Sequence, residues 1–148
     1  MSEHSSVDIL LVEDSPADAE MTMRALKRCV SRNAIEWVQN GEEAVDYMLR
    51  QGAYANRRND NPRLILLDLK MPKVDGIEVL RLLKANVTTR TVPVVMLTSS
   101  NEGSDIARSY DLGINSYIVK PVEFDKFVDE VSKLGLYWAA MNKVPGMA

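Results

Sequence analysis

The segment LILLDLKMPKVDG occupies residues 64–76 and places an aspartate, Asp68, directly after four consecutive apolar residues. A continuous apolar run of this kind is typical of a strand that is buried on both faces of a parallel sheet. The carboxyl ends of such strands face a crevice, which is where α/β proteins bind their ligands. We therefore predict that Asp68 lies in a crevice at one edge of a sheet.

Apolar runs typical of strands alternate with helical patterns along the whole chain. Strands are predicted at residues 7–12, 34–38, 64–68, 92–97 and 116–119. The first helix begins at Ser15-Pro16, an N-cap serine and a first-turn proline, with Asp18 three residues after the cap. The alternation predicts an α/β fold, a flavodoxin-like (βα)5 doubly wound parallel sheet with strand order 2-1-3-4-5.

Composition limits the classes of protein to be considered. A chain of 148 residues with 46% hydrophobic content can bury one core, so one domain is expected. No apolar stretch approaches the roughly 20 residues of a membrane helix, and no membrane contact is expected. A single cysteine excludes an internal disulfide and fits a reducing compartment. We expect a soluble, cytoplasmic protein.

The charge distribution argues against a nucleic-acid partner. The formal net charge is −3, whereas surfaces that bind nucleic-acid phosphates cluster Lys and Arg on one face. The nearest basic cluster is Arg57-Arg58, within a polar loop at residues 54–63. We expect that loop to be solvated.

Polar residues follow four of the predicted strands. They are Glu13-Asp14, Asp68, Thr98-Ser99-Ser100 and Lys120-Pro121. In a doubly wound sheet these strand ends lie side by side, where crowded carboxylates resist full ionisation unless a cation joins them. Mg²⁺ binds such carboxylates and leaves room for a phosphoryl oxygen, while a lysine and a hydroxyl group serve the other oxygens. The set of groups suits phosphoryl transfer.

With these motifs the chain resembles the receiver domains of two-component response regulators. The resemblance spans residues 7–134, and its motifs occur in order along the chain. They are Glu13-Asp14, Asp68 followed by Met71-Pro72 and Asp75-Gly76, Thr98, Tyr117 and Lys120-Pro121. The resemblance implies a phosphorylation-activated switch rather than an enzyme.

The resemblance also assigns the acceptor and the metal ligands. Asp68 would take the phosphoryl group from the phosphohistidine of a histidine kinase. Asp14 would bind Mg²⁺ directly and Glu13 mainly through water, with Asp68 and the backbone carbonyl of Lys70 completing the protein ligands. Glu13 stands where many family members have Asp, and its longer side chain can change the affinity for metal.

The remaining family positions concern the response to phosphorylation. Lys120 and Thr98 would contact the phosphoryl oxygens, and Thr98 and Tyr117 would form the switch pair. The Lys120-Pro121 peptide bond would be cis, an expectation that rests on the family alone because most Xaa-Pro bonds are trans.

Two other functions use a similar fold. Haloacid-dehalogenase-like phosphatases have an aspartate nucleophile and a second Asp two residues later as the acid and base. That position is Lys70 here, which cannot take this role while charged. A pseudo-receiver, which binds partners without phosphorylation, usually lacks the acceptor Asp or the Lys, and both are present.

The domain organisation predicts a stand-alone receiver at 7–134 with an aromatic extension at 135–148. No DNA-binding or enzymatic domain fits after Leu134, so the output is expected to be a protein contact. Within the family, the chain most resembles the response regulators of phytochrome-type histidine kinases. The shared segments are residues 11–18, 51–54, 109–113 and 120–122 and the aromatic extension.

An apolar stripe near the carboxyl end predicts a homodimer. Its residues recur at helical spacing and are Phe124, Phe127, Val131, Leu134, Trp138 and Met141. A small monomer seldom leaves such a patch in water, and a two-fold dimer is the commonest closed assembly. The alternative is a tail that folds back onto its own domain. A second alternative is that the helix ends at Gly135, because glycine is unfavourable inside a helix.

Overall fold

The computed structural model describes residues 7–28, 30, 34–71, 73–120 and 123–143, without the side chains of Phe124, Ala139 and Ala140. Its five strands are β1 (Ile9–Val12), β2 (Ile35–Val38), β3 (Leu64–Leu67), β4 (Val94–Thr98) and β5 (Ser116–Val119). All neighbouring strands are parallel, in the order β2-β1-β3-β4-β5. The predicted fold class and strand order are confirmed.

Helices connect the strands. They are α1 (Pro16–Leu26), α2 (Gly41–Leu49), α3 (Gly76–Ala85), α4 (Gly103–Asp111) and α5 (Phe124–Gly135), with a 3-10 turn at Gly52–Tyr54 and a π-helix at Leu136–Met141. The cap at Ser15 is present, because its Oγ accepts a hydrogen bond from the amide of Asp18 at 3.3 Å. Side chains of Asn40 and Asp75 cap α2 and α3 in the same way.

The core has two parts, one on each face of the sheet. Side chains of successive strand residues point to opposite faces, so Leu10 and Val12 of β1 join the part beneath α2 and α3. Ile9 and Leu11 join the part beneath α1 and α5. The central strands are therefore buried on both sides, and the polar residues that follow them are held at the sheet edge.

The loop at 54–63 is more ordered than a solvated connection. Arg57 is half-buried, with its guanidinium 4.3 Å from the centre of the Tyr47 ring and its Nε donating to the Tyr47 carbonyl at 2.8 Å. Asn61 donates to the carbonyl of Thr88 at 2.9 Å and so ties the loop to the α3–β4 connection. The expectation of solvation is wrong for Arg57, since a guanidinium with five donors can satisfy several loop carbonyls at once.

The carboxyl-terminal helix does not end at Gly135. This glycine has helical dihedral angles, φ −60° and ψ −43°, and α5 continues directly into the π-helix. The expected domain boundary after Leu134 therefore falls inside one helical segment. Among the described helices, none has the length and apolar character that crossing a membrane requires.

The apolar stripe that was predicted to form a dimer contains both buried and exposed residues. Phe127, Val131 and Leu134 are buried in the protomer's own core, beneath α1 and α5, and Trp138 packs against the same cluster. Met141 is 63% exposed. The first part of the stripe therefore closes the monomer's core, and the prediction of a dimer rests on the exposed residues of the π-helix. The side chain of Phe124 lies outside the description.

A glycine at the start of α3 allows the helix to approach the acceptor strand. A Cβ atom at Gly76 would lie 2.3 Å from the carbonyl oxygen of Asp68, whereas a Cβ at Gly103 would meet nothing within 4 Å. Gly76→Ala should lower the free energy of unfolding by about 1–3 kcal/mol, because the backbone must shift. Gly103→Ala should stay within about 0.5 kcal/mol of wild type. Urea unfolding followed by circular dichroism measures both, and equal stabilities would contradict the expected close approach.

Candidate functional site

Three carboxylates meet at the carboxyl ends of β1 and β3. One oxygen each from Glu13, Asp14 and Asp68 lies within 4.8 Å of the other two. The register explains this, because Val12 pairs with Leu67 and the next residue of each strand is an acid. The amide of Asp68 donates to the carbonyl of Val12 at 3.1 Å. Glu13 and Asp68 are buried, whereas Asp14 is exposed.

The backbone and side chain of Glu13 are both held in place. The indole Nε1 of Trp37, on β2, donates to the Glu13 carbonyl at 2.8 Å. The amide of Ser15 donates to Oε2 of Glu13 at 3.2 Å. Trp37 was not predicted as a site residue, because it belongs to no motif and reaches the site only through the pairing of β1 with β2.

Lys120 binds three carboxylates at once. Its Nζ lies 2.7 Å from Glu13, 2.9 Å from Asp18 and 3.4 Å from Asp68. The amide of Lys120 donates to the carbonyl of Thr98 at 2.8 Å, which fixes the backbone at the end of β5. Asp18 was interpreted only as part of a helix start, and its contact with the lysine was not predicted.

The ionisation of the cluster follows from its burial. Burial raises the pKa of the Glu13 carboxyl to about 7, and the hydrogen bond from Lys120 offsets only part of this effect. Burial alone would lower the pKa of Lys120, but its hydrogen bonds to Glu13 and Asp18 outweigh burial and raise it. Lys120 is therefore charged at neutral pH, and one lysine does not neutralise the carboxylates around it.

The donor set fits a divalent cation. One oxygen of each acid lies within 4.8 Å of the other two, close enough that the three could hold one ion together. Glu13, Asp14 and Asp68 supply the hard, charged ligands that such an ion prefers. Lys70, whose backbone carbonyl was predicted to complete the set, lines a cavity of about 490 Å³ together with Asp14.

Ser100 joins the two residues of the predicted switch. Thr98 is fully buried, and its hydroxyl accepts a hydrogen bond from the Ser100 amide at 3.3 Å. The Tyr117 hydroxyl donates to the Ser100 carbonyl at 3.0 Å. The Ser100 hydroxyl donates to the buried Asp105 of α4 at 2.6 Å. Thr98, Tyr117 and α4 are thus linked through one residue, whose role the sequence analysis did not identify.

The structure brings together most of the predicted site. Glu13, Asp14, Asp68 and Lys120 share one crevice. Thr98 and Tyr117 lie on the adjacent strands β4 and β5 and are linked through Ser100. The predicted cis bond between Lys120 and Pro121 lies outside the described residues, as does Pro72 of the predicted motif.

Comparison with known proteins identifies relatives over nearly the whole chain. The family model of the response regulator receiver domain matches residues 9–132. The probable methanogenesis regulatory protein FilR2 of Methanothrix harundinacea is 42% identical over 141 residues, which cover 95% of this chain and 88% of that protein. Response regulator Rcp1 of Synechocystis sp. is 36% identical over 137 residues, covering 93% and 92%.

Solved structures agree with these matches. The phosphorylated cyanobacterial phytochrome response regulator RcpA has a TM-score of 0.88 at 37% identity, covering 95% of this chain and 99% of that one. The Mn²⁺-bound form of response regulator Rcp1 has a TM-score of 0.84 at 35% identity, with the same coverage. The expected fold and the likeness to phytochrome response regulators are confirmed.

Removal of the buried lysine charge tests the electrostatics of the crevice. Lys120→Met should lower the free energy of unfolding by about 3 kcal/mol at neutral pH without divalent cations, because buried carboxylates lose their counterion. Added Mg²⁺ should recover part of this loss by binding the folded state. Urea unfolding with and without Mg²⁺ measures both effects.

The matched control is Lys133→Met, which removes an exposed lysine that is paired with Asp129 at 3.0 Å. This variant should stay within about 0.5 kcal/mol of wild type, because exposed ion pairs contribute little. Equal losses in the two variants, or no effect of Mg²⁺ on Lys120→Met, would contradict the interpretation.

Proposed function

Because this chain belongs to the response regulator receiver family, a family of phosphorylation-activated signalling switches, we propose that Asp68 accepts the phosphoryl group of a histidine kinase. The observation that supports this assignment is the contact of Lys120 with Asp68 at 3.4 Å, beside two further clustered acids. The acceptor thus lies next to the lysine ammonium group and next to two acids that could hold a metal with it.

The transfer needs positioning and charge neutralisation more than acid–base chemistry. A carboxylate oxygen of Asp68 attacks phosphorus and forms the new O–P bond. The P–N bond to the kinase imidazole breaks, and its electron pair stays on the nitrogen. Lys120 is placed to neutralise the negative charge that builds up on one phosphoryl oxygen.

Mg²⁺ is the metal that we propose for the crevice, held by Glu13, Asp14, Asp68 and the carbonyl of Lys70. When bound, such a cation supplies positive charge to the phosphoryl oxygens. The fit of the three clustered carboxylates to a hard divalent ion supports the proposal.

Thr98 and Tyr117 would transmit the effect of phosphorylation to the surface formed by β5 and α4. If the Thr98 hydroxyl turns to the phosphoryl group, it leaves the amide of Ser100. Ser100 also contacts Tyr117 and, through Asp105, helix α4. The β5 and α4 surface would therefore change with phosphorylation, which is the kind of two-state element that a local charge can bias.

The two alternative functions gain no support from the crevice. A phosphatase would need a proton donor two residues after Asp68, and Lys70 is an exposed cation. A pseudo-receiver would not need the assembled acids and lysine. Neither alternative is favoured.

The kinase partner that we propose is of the phytochrome type, on the likeness to RcpA and Rcp1. Histidine kinases take their phosphoryl group from ATP, so the two proteins would meet in the cytoplasm. The output would be a protein contact.

We also propose that the protein forms a homodimer whose contact is made by the π-helix. Leu136, Tyr137 and Met141 are 49–63% exposed on this segment. Tyr137 and Trp138 form an edge-on aromatic pair with ring centres 5.0 Å apart beside a cavity of about 580 Å³. A self-complementary two-fold contact would cover these apolar side chains.

Loss of the acceptor carboxylate should abolish phosphorylation. Asp68→Asn should gain no phosphoryl group from acetyl phosphate and Mg²⁺, because an amide does not replace the attacking carboxylate. Asp111→Asn, which makes the same charge change at the exposed end of α4, should be phosphorylated like wild type. Mass spectrometry of the intact proteins measures the uptake, and circular dichroism checks the fold.

Uptake by a folded Asp68→Asn at the wild-type rate would refute the assignment of the acceptor. A chelator of divalent cations should stop uptake by the wild type as well. Undiminished transfer in the chelator would exclude the proposed metal.

The dimer proposal is tested by placing charge on the π-helix. The double variant Leu136→Lys, Met141→Lys should sediment as a monomer, whereas the wild type and Val87→Lys should sediment as dimers at micromolar concentration. Val87 is a suitable control because it is the most exposed large hydrophobic residue in the described part of the chain, at 69%, and lies beyond α3. A wild type that sediments as a monomer, both with and without phosphorylation, would exclude the dimer.

A further inference from the structure

Asp18 competes for the lysine that the proposed transfer uses. Its carboxylate lies 2.9 Å from Nζ of Lys120, closer than the 3.4 Å between Nζ and Asp68. Asp18 is also the most exposed of the three partners of Lys120, at 38% of its side chain. The two shorter contacts of the ammonium group are therefore to Glu13 and Asp18, and its contact with the acceptor is the longest of the three.

The side chain of Asp18 has no other role among the described contacts. Ser15 caps α1 through the amide of Asp18, and the hydroxyl of Thr22 donates to its carbonyl at 2.8 Å. Both contacts use backbone atoms and survive a change of the side chain. The carboxylate itself contacts Lys120, 102 residues away in sequence.

The metal ligands and Asp18 are separate groups. Among the described residues, the carboxylates close enough to share an ion are Glu13, Asp14 and Asp68. A cation in that cluster would compete with Lys120 for Glu13 and would leave Asp18 as the carboxylate that still holds the ammonium group.

We propose that Asp18 is a positioning residue that acts through Lys120: it holds the ammonium group on the α1 side of the crevice and slows transfer of a phosphoryl group to Asp68. This inference rests on the proposed function of Asp68. An ammonium group has three N–H donors, and all three have carboxylate partners here. A phosphoryl oxygen must take one of them, and a neighbouring carboxylate weakens the charge that the lysine offers.

Removal of the Asp18 charge should therefore accelerate phosphorylation. With saturating Mg²⁺, Asp18→Asn should raise the maximal rate of uptake from acetyl phosphate by about tenfold, the order expected for one charge-assisted hydrogen bond. Asp18→Glu, which keeps the charge, should stay close to wild type. A purely structural role at the start of α1 predicts the opposite, since loss of helix stabilisation would slow uptake or leave it unchanged.

Glu20→Gln is the control for general surface charge. Glu20 lies on the same helix, is 62% exposed and pairs with Arg24 at 3.2 Å. If general repulsion of the anionic donor were the cause, removal of either negative charge would lower the KM, in Glu20→Gln as well as in Asp18→Asn. Loss of the proposed contact with Lys120 instead raises the maximal rate, and does so in Asp18→Asn alone.

Rates of Asp18→Asn within twofold of wild type, slower uptake by a folded Asp18→Asn, or an equal gain in Glu20→Gln would each overturn the inference. These outcomes are distinct from failure of the proposed function. If the wild type takes up no phosphoryl group, or if Asp68→Asn takes it up, the function of Asp68 and the role of Asp18 fall together. If the wild type is phosphorylated on Asp68 and Asp18→Asn does not differ, only the role of Asp18 is wrong.

Discussion

The buried ammonium group of Lys120 pairs with the acids of this crevice and so allows their negative charges to lie close together. Lys120 contacts Glu13, Asp18 and Asp68 within 3.4 Å, in a place where burial penalises every unpaired charge. Burial raises the pKa of the Glu13 carboxyl to about 7, and the hydrogen bond from Lys120 offsets only part of this effect. A divalent cation held by the three clustered carboxylates would add to this positive charge, and the lysine and the metal would together provide the charge neutralisation that phosphoryl transfer requires.

The order and pairing of the strands bring Lys120 and the acids together. Parallel pairing of β1 with β3 sets Glu13 beside Asp68, and Lys120 follows β5 on the far side of β4. Trp37 holds the backbone of Glu13 from the edge strand, and Gly76 lets α3 start against the carbonyl of Asp68. The site is thus made at the ends of strands, while the response that we propose would pass through the loop that contains Ser100.

Local patterns were enough to predict the strands, their order and the proximity of the acids and the lysine at the strand ends. The apolar runs of β1 and β3 are continuous, and Glu13, Asp68 and Lys120 directly follow β1, β3 and β5. Side-chain partners across the fold were not predictable, because the contact of Asp18 with Lys120 joins residues 102 positions apart and belongs to no motif. The ordered structure of the loop around Arg57 was not predicted for a similar reason, because a polar sequence does not reveal that Arg57 stacks on the ring of Tyr47. The apolar spacing along α5 identified a helix face but could not separate core residues such as Val131 from exposed ones such as Met141.

We propose that the lysine and the acids of this crevice serve a phosphoryl group on Asp68, and chemical mapping of the phosphorylated wild type locates that group. Borohydride reduces an aspartyl phosphate to homoserine, which peptide mass spectrometry can locate in the sequence. We expect homoserine at position 68 after incubation with a phosphoryl donor and Mg²⁺, and none when Mg²⁺ is withheld. Homoserine at another aspartate, or a stable phosphate on a different type of residue, would contradict it.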